Sequence, residues 1–462
     1  MKRKRTYQTV DVESFDVVTV LQLLTVGCVI AIDVAKTKFV AAIATAAGEV
    51  LKLLRFEHPR QTEAFVRVVE ELRAAKLEPR VVMEPTGTYG DPIRYQLHRR
   101  DIPVHMMAPK YTHDFAEVLD GVPSMHDPKA AVTLARLHAI RPADPWQPMS
   151  DGERELRALL DQRSLLTRTQ NVFHGHLEAM LARHWPEFWG VVDVHRQRSW
   201  MTLLMELPGP GAVAASTEQA ATTLHRASRG GLKKERIEAI LDAARLTCGV
   251  PMTKGEQGKM VAIVEQLAEQ LGRMDAVDAE LAKLVEADPI ASRLAVVVGP
   301  ACAAALVSHV GSPTGFENAG ALEKALGLNL KERSSGEKKG KLRITKRGSA
   351  EVRQLMYLAA LRLIKGDRIV AAWYRAREAY RGGRKIAAVV AVMRKLVRAL
   401  FHVARGATFD ASKLFDVRRL DLSASTASTP SSKETGEAKA LFGRSPSLHS
   451  QLEQGGVAQS IA

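Results

Sequence analysis

The sequence predicts a mixed α/β domain followed by a largely helical remainder, and three observations carry that expectation. Between residues 27 and 58, short apolar runs alternate with turn residues at strand spacing. From Gln61 to His138, helical and strand-like patterns alternate. Beyond Glu153 the apolar positions step by threes and fours almost throughout. With 462 residues the chain is too long for one ordinary core, and its 46% apolar content is enough for several.

Taken in order, Cys28 to Val34 is a strand, Lys36-Thr37-Lys38 a tight connection, Phe39 to Ala44 a second strand, Ala47-Gly48 a turn and Val50 to Phe56 a third strand. Gln61 to Ala75 is helical, and Arg80 to Met83 is a short strand ending at Glu84. A helix over Tyr89 to His98, a strand over Ile102 to Met106 and a helix over Pro128 to His138 complete the set. Three paired strands followed by alternating helix and strand suit a ribonuclease-H-like core. A long helix is expected over Glu153 to His184, and a small helical insert between Met205 and Val250, which holds two Gly/Pro breaks and a basic stretch from Arg226 to Arg236. Met260, Val264, Leu267, Leu271, Met274, Leu281 and Val285 then form a coiled-coil seam, with Asp278 the exception. That seam serves either a partner chain or the chain's own core. Leu294 to Val298, Gly299-Pro300 and an Ala-rich helix to Val310 resemble a helix-hairpin-helix, whose backbone N–H groups can hold a phosphate. Helices follow over Ala350 to Ile364 and Lys385 to Ala404, and the Ser-, Thr- and Gly-rich chain after Ser423 has the composition of a disordered tail.

Charge narrows the function. Lys and Arg number 66 against 51 Asp and Glu, a formal net charge of +15, which suits a polyanion partner and makes nucleic acid the first expectation. Cys28, Cys248 and Cys302 are far apart and lack C-x-x-C spacing, so neither a disulfide framework nor a cysteine zinc site is supported, and a reducing cytoplasm fits. The run from Val17 to Ile32 follows Lys2-Arg3-Lys4-Arg5, but Asp11, Glu13 and Asp16 intervene and Gln22 and Gly27 interrupt it. It falls short of the ~20 apolar residues a membrane helix needs and reads as a leader plus a buried strand.

Chemistry concentrates in two places. Asp33 ends one apolar strand, Glu84 ends another and Asp127 opens a helix. Adjacent strand ends converge in such a sheet, so these carboxylates could share Mg²⁺, a hard ion that prefers oxygen ligands. Each has a plainer account: Asp33 as a solvated strand end, Glu84-Pro85-Thr86-Gly87 as a turn, and Asp127-Pro128 as a helix start with Asp as N-cap. The second place is Ser335, in Lys331-Glu332-Arg333-Ser334-Ser335-Gly336-Glu337-Lys338-Lys339-Gly340-Lys341-Leu342-Arg343-Ile344-Thr345-Lys346-Arg347-Gly348. A hydroxyl that attacks a phosphodiester needs surrounding positive charge, yet Ser-Ser-Gly is also common in flexible loops. His174 and His176, two apart on a helix, face different sides and make poor joint ligands.

Ile30-Ala31-Ile32-Asp33-Val34-Ala35-Lys36, Met83-Glu84-Pro85-Thr86-Gly87-Thr88-Tyr89 and Asp127-Pro128-Lys129-Ala130-Ala131 resemble the DEDD domain of the insertion-sequence-110 family of bacterial transposases. Gly299-Pro300, Ala325-Leu326-Gly327-Leu328, Ser334-Ser335-Gly336, Ile344-Thr345-Lys346-Arg347-Gly348, Arg353, Met393-Arg394-Lys395-Leu396 and Phe409-Asp410-Ala411-Ser412 look like that family's carboxy-terminal domain. The likeness spans roughly residues 27 to 415.

Composition and the resemblance together divide the chain into a leader over 1–26 expected to be poorly ordered, a ribonuclease-H-like (RuvC-like) domain over 27–150, a helical and coiled-coil region over 151–290, a mostly α-helical transposase domain over 291–415 and a tail over 416–462 expected to be disordered. It implies an RNA-guided DNA recombinase of the bacterial cytoplasm and nucleoid, outside any membrane. A structured guide (bridge) RNA would pair with donor and target double-stranded DNA on a dimer or tetramer. Asp33, Glu84 and Asp127 would bind Mg²⁺, and Ser335 would attack the DNA backbone and hold a covalent phosphoserine link. Lys338, Lys339, Lys341, Arg343, Lys346, Arg347 and Arg353 would touch nucleic acid. The family pattern places a fourth carboxylate three residues after the third, where this chain has Ala130, so a ligand is lost and reduced activity is expected. Three alternatives stay open: a metal-dependent junction nuclease without covalent serine chemistry, a sugar-kinase-like phosphotransferase suggested by Ile32-Asp33 before Lys36-Thr37, and a nucleic-acid-binding relic.

Overall fold

The computed structural model describes residues 7–25, 27–85, 87–122, 126–192, 198–332, 340, 342–380 and 382–423. The chain divides into two compact units, one ending at Met149 and one starting at Ser150.

The first unit is built on a sheet of seven described strands: β1 (Thr9–Asp11), β2 (Cys28–Asp33), β3 (Lys38–Thr45), β4 (Val50–Glu57), β5 (Pro79–Met83), β6 (Val104–Met106) and β7 (Asp144–Pro145). Their order across the sheet is β1-β4-β3-β2-β5-β6-β7. β3 runs antiparallel to both β2 and β4, while β2, β5 and β6 run parallel to one another. Helices α1 (Val18–Leu21), α2 (Thr62–Ala74), α3 (Asp91–His98), α4 (Pro109–Asp120) and α5 (Asp127–Ile140) complete the unit.

Side chains on a strand alternate between faces, and here the alternation sorts two cores. Ile30, Ile32, Phe39, Ala41 and Ile43 join Phe65, Val69 and Leu72 of α2 and Ile93 and Leu97 of α3 on one side. Val29, Ala31, Val40, Ala42 and Ala44 join Ala131, Leu134 and Ala135 of α5 on the other. The small residues on that second face let α5 lie close to the sheet. Gly48, at φ +84°, sits so near that a Cβ there would fall 2.9 Å from the Cβ of Ala139.

The expected poorly ordered leader is corrected over its described part. β1 extends the sheet edge by pairing parallel with β4, Thr9 opposite Leu53, and Val12, Val17, Val20 and Leu24 are buried in the α2 side core. A strand of three residues and a one-turn helix are too short to show a period in sequence, but the sheet edge supplies backbone partners and the core supplies apolar ones.

The second unit opens on α6 (Asp151–His184), started by a capping box in which Ser150 and Glu153 satisfy each other's backbone N–H groups. Thr253 and Glu256 do the same for α12 (Lys254–Ala287), and the two helices of 34 residues each pair along their length. The Arg163–Asp278 ion pair (2.6 Å) at one level and the His184–Glu256 approach (3.5 Å) at another fix an antiparallel arrangement. The predicted seam is thus used within the chain, with Met260, Val264 and Leu267 in one core beside Leu177 and Leu181, and Leu281 and Val285 in another beside Leu156 and Leu160. Asp278, the exception to the apolar pattern, is the residue that meets Arg163.

Between the paired helices lies the insert: α7 (Phe188–Val191), α8 (Ser199–Glu206), α9 (Pro210–Ala215), α10 (Thr217–Ala227) and α11 (Lys234–Arg245), centred on buried Trp185, Phe188 and Trp200. After α12 come α13 (Pro289–Val298), α14 (Pro300–Val310), α15 (Ala319–Ala325), the hairpin strands β8 (Leu330–Lys331) and β9 (Arg343–Ile344), and then α16 (Ala350–Gly366), α17 (Arg368–Tyr380) and α18 (Lys385–Ala404) around one core. Among the described residues no helix is long and apolar enough to cross a membrane.

Candidate functional site

Strand register brings the first two acids together. Ile32 of β2 lies opposite Met83 of β5 in a parallel pair, so Asp33 and Glu84 occupy the next register position, at neighbouring carboxyl ends. Strands in a sheet lie about 4.8 Å apart. Asp33 shares the parity of Val29 and Ala31, and Glu84 that of Val82, so both belong to the face that α5 covers. Asp127 is the first residue of that helix.

The expectation that Asp127 serves as N-cap is corrected. The helix begins one residue earlier in effect, because His126 occupies the extended N-cap position and its Nδ1 accepts the Lys129 N–H at 3.2 Å. Imidazole can take the capping role usually given to Ser, Thr, Asp or Asn, and the ring is held edge-on by Tyr7. The Asp127 carboxylate is therefore not spent on the cap and lies exposed at the helix start. Ala130 follows one turn on, and Lys129 beside it is buried with Nζ donating to the Val122 carbonyl at 2.7 Å.

Asp33 lies within the electrostatic reach of the other two acids. Burial, reinforced by the negative charges of Asp127 and Glu84, pushes Asp33 from 3.8 up to about 7, against the backbone N–H of Val34, which pulls it down. Burial also raises Glu84, with the Thr112 hydroxyl of α4 opposing. The acids are close enough to repel but are not drawn onto one point, since among the described residues no three His, Cys, Asp or Glu side chains lie within reach of a common ion. The donor set still fits a hard divalent cation. It consists of carboxylate oxygens, and the repulsion that raises Asp33 is what a bound positive charge would cancel.

Ser335, with Lys338, Lys339 and Lys341, lies outside the described residues. The flanking strands are described: β8 and β9 pair antiparallel, Leu330 opposite Ile344 and Lys331 opposite Arg343. The foot of this hairpin is fixed by two glycines. A Cβ at Gly327 (φ +68°) would strike the Arg347 carbonyl, and one at Gly348 (φ +102°) the Ala325 carbonyl. Arg343, Lys346 and Arg347, expected from the sequence to be open to nucleic acid, are exposed there. Arg353 departs from that expectation: it is 3% exposed, and its Nη1 donates to the Gly348 carbonyl at 2.9 Å and reaches toward that of Leu326 at 3.4 Å. It shapes the hairpin foot from beneath.

Beside the hairpin lies a groove of about 860 Å³ whose rim carries Lys331, Arg343, Lys346, Arg377, Arg384 and Lys385, and among the described residues no acid lines it. Arg394 also lines it, but its Nε is held by buried Glu323 at 2.6 Å. Sequence reasoning missed the contribution of Arg377, Arg384 and Lys385. The local signal was Gly382-Gly383-Arg384-Lys385, a glycine pair and two cations at a helix start.

Residues 30–186 match a family model of IS110-type DEDD transposases described as "Transposase", and residues 296–375 match the model described as "Transposase IS116/IS110/IS902 family". Pilin gene-inverting proteins of Moraxella bovis and Moraxella lacunata are 36% and 35% identical to this chain over 83 residues. The aligned stretch is 18% of this chain and about a quarter (26%) of each relative.

The raised Asp33 pKa sets a pH dependence in metal-free buffer. The folded protein holds a proton on Asp33 between about pH 4 and 7 that the unfolded chain releases, so stability falls as pH rises through that window. Asp33→Asn should flatten the fall and melt higher at pH 8 by about 3–6 °C, as read by thermal denaturation. An equally steep fall in the variant would show that Asp33 is not the group.

Proposed function

Because the chain belongs to the IS110 family of transposases, we propose that it is a DNA recombinase that cuts and rejoins donor and target DNA under the guidance of a structured RNA. The single observation that most supports this is the register that sets Asp33 beside Glu84 at neighbouring strand ends, under the helix that Asp127 opens, with Asp33 pushed up to about 7. A ribonuclease-H-like (RuvC-like) assignment for the first unit is supported by the order β4-β3-β2-β5-β6, in which only β3 runs against the rest.

In this reading Asp33, Glu84 and Asp127 hold a divalent cation, taken to be Mg²⁺, which when bound supplies Lewis-acid charge to the scissile phosphate. Ser335 supplies the nucleophile: its Oγ forms a bond to phosphorus as a strand P–O bond breaks. One phosphate ester replaces another, so the bond energy is retained in the phosphoserine and rejoining needs no nucleotide triphosphate. Lys338, Lys339 and Lys341 beside it, with Arg343, Lys346 and Arg347 at the hairpin foot, neutralise the phosphates that flank the cut.

Ala130 weakens the acid half. A carboxylate one helical turn after Asp127 would face the same ligand, and a methyl group offers none. Nucleic-acid binding rests on the cationic residues and survives this loss.

Ser335→Ala should abolish covalent protein–DNA adducts, seen as denaturant-resistant complexes on gels, while leaving RNA binding within about threefold. Adducts that persist in the variant, or free cut ends formed without any adduct in the wild-type chain, would remove the serine from the mechanism and favour hydrolysis by a metal-dependent nuclease. Ala130→Asp should raise strand exchange in Mg²⁺ by tenfold or more, measured by joining of labelled donor and target duplexes. Unchanged exchange would show that position 130 does not supply a ligand.

A further inference from the structure

We propose that His126 is a positioning residue for the cation site: its ring, steadied by Tyr7, holds the start of α5 in place and with it the carboxylate of Asp127. The proposal rests on the reading of Asp33, Glu84 and Asp127 as one cation site, and it adds how the third acid is kept at its post.

Three features lead there. A helix start leaves backbone N–H groups without partners inside the helix, and His126 serves the first turn of α5 twice. Its ring Nδ1 accepts the Lys129 N–H at 3.2 Å, and its carbonyl accepts the Ala130 N–H at 2.9 Å. Pro128 has no N–H to satisfy. The ring therefore caps the helix without drawing in the Asp127 carboxylate and without adding another acid beside it. Second, Tyr7 meets that ring edge-on, with centroids 4.9 Å apart and planes at 77°, an arrangement aromatic pairs favour. Tyr7 is itself anchored, since it packs against the core that α5 shares with the sheet, and two residues further on β1 pairs with β4, Thr9 opposite Leu53. Third, the chain before the cap is tied to the helix, because Lys129 reaches back with Nζ to the Val122 carbonyl at 2.7 Å.

Asp127 follows His126 directly, so the place of the ring fixes the backbone from which the third acid projects. An Asn at 126 would cap the helix as well, but it has no ring for Tyr7 to meet. The choice of His thus couples the first strand to the acid site: Tyr7 acts through His126, and His126 acts through Asp127.

The test uses the full chain and Mn²⁺ as the probe, titrated by calorimetry. His126→Ala should weaken Mn²⁺ binding about fivefold, the size of a lost helix cap, and His126→Asn should restore it to within about twofold. Tyr7→Ala should weaken binding about threefold and Tyr7→Phe not at all, since the contact is made by the ring. The coupling is the decisive readout: Tyr7→Ala should have no effect in the His126→Asn background, where there is no ring to steady. An equal Tyr7→Ala loss in both backgrounds, or no loss in His126→Ala, would overturn the proposal. Amide hydrogen exchange in metal-free buffer gives a measurement independent of the ion, and it should quicken at Lys129 and Ala130 in His126→Ala. Quicker exchange with Mn²⁺ affinity unchanged would show a cap that does not place Asp127, and that too overturns the proposal. Should His126→Ala not fold, the Tyr7 and His126→Asn variants carry the test alone. Asp33→Asn in the same titration separates the two readings: unchanged binding there rejects the cation site and this inference with it, whereas loss there with none in His126→Ala rejects this inference alone.

Discussion

The closeness of α5 to the sheet is the constraint on which the acid cluster depends. A helix can approach a sheet this nearly only where both surfaces are small, and Ala31, Ala42 and Ala44 below meet Ala131 and Ala135 above. Larger residues at these positions would lift the helix by the thickness of a side chain and carry Asp127 away from the strand ends. The other face shows the contrast, since Ile30, Ile32, Phe39 and Ile43 fill the wider gap under α2. The same parity that assigns small residues to one face also puts Asp33 and Glu84 there. Packing and chemistry are therefore set by one alternation.

Placing Asp33 near Glu84 and Asp127 has a cost, since burial and its neighbours' charge raise its carboxyl to about 7. Such an arrangement opposes folding above that pH, and it makes sense where a cation is to be bound. The second unit has the opposite character. Among the described residues that line the groove beside its hairpin, cations outnumber every other charged type and no acid occurs, which suits a polyanion. The first unit thus carries acids that a divalent cation would relieve, and the second a positive surface that suits phosphates.

Much of the first unit was legible in the sequence because strands β2 to β6 announce themselves by period and by turn residues. The leader was not, because Val12, Val17, Val20 and Leu24 are buried by tertiary contact and form no local pattern. The start of α5 was misplaced by a residue because a histidine can cap a helix through its ring nitrogen. Asp278 looked like a flaw in an apolar seam, and its partner Arg163 is 115 residues away. Arg353 matched the pattern of a nucleic-acid contact, yet burial turned it inward to backbone carbonyls. The cationic groove could not be assembled from the sequence, since its described walls come from residues 330–331, 342–346, 377 and 383–394 and meet only in the fold.

The central claim is that Asp33, Glu84 and Asp127 form one cation site, and calorimetric titration of the purified chain with Mn²⁺ tests it most directly. The account predicts one ion bound per chain, with affinity reduced at least tenfold by Asp33→Asn and by Glu84→Gln alike. Binding that is unchanged by both substitutions, or no binding by the wild-type chain, would contradict it.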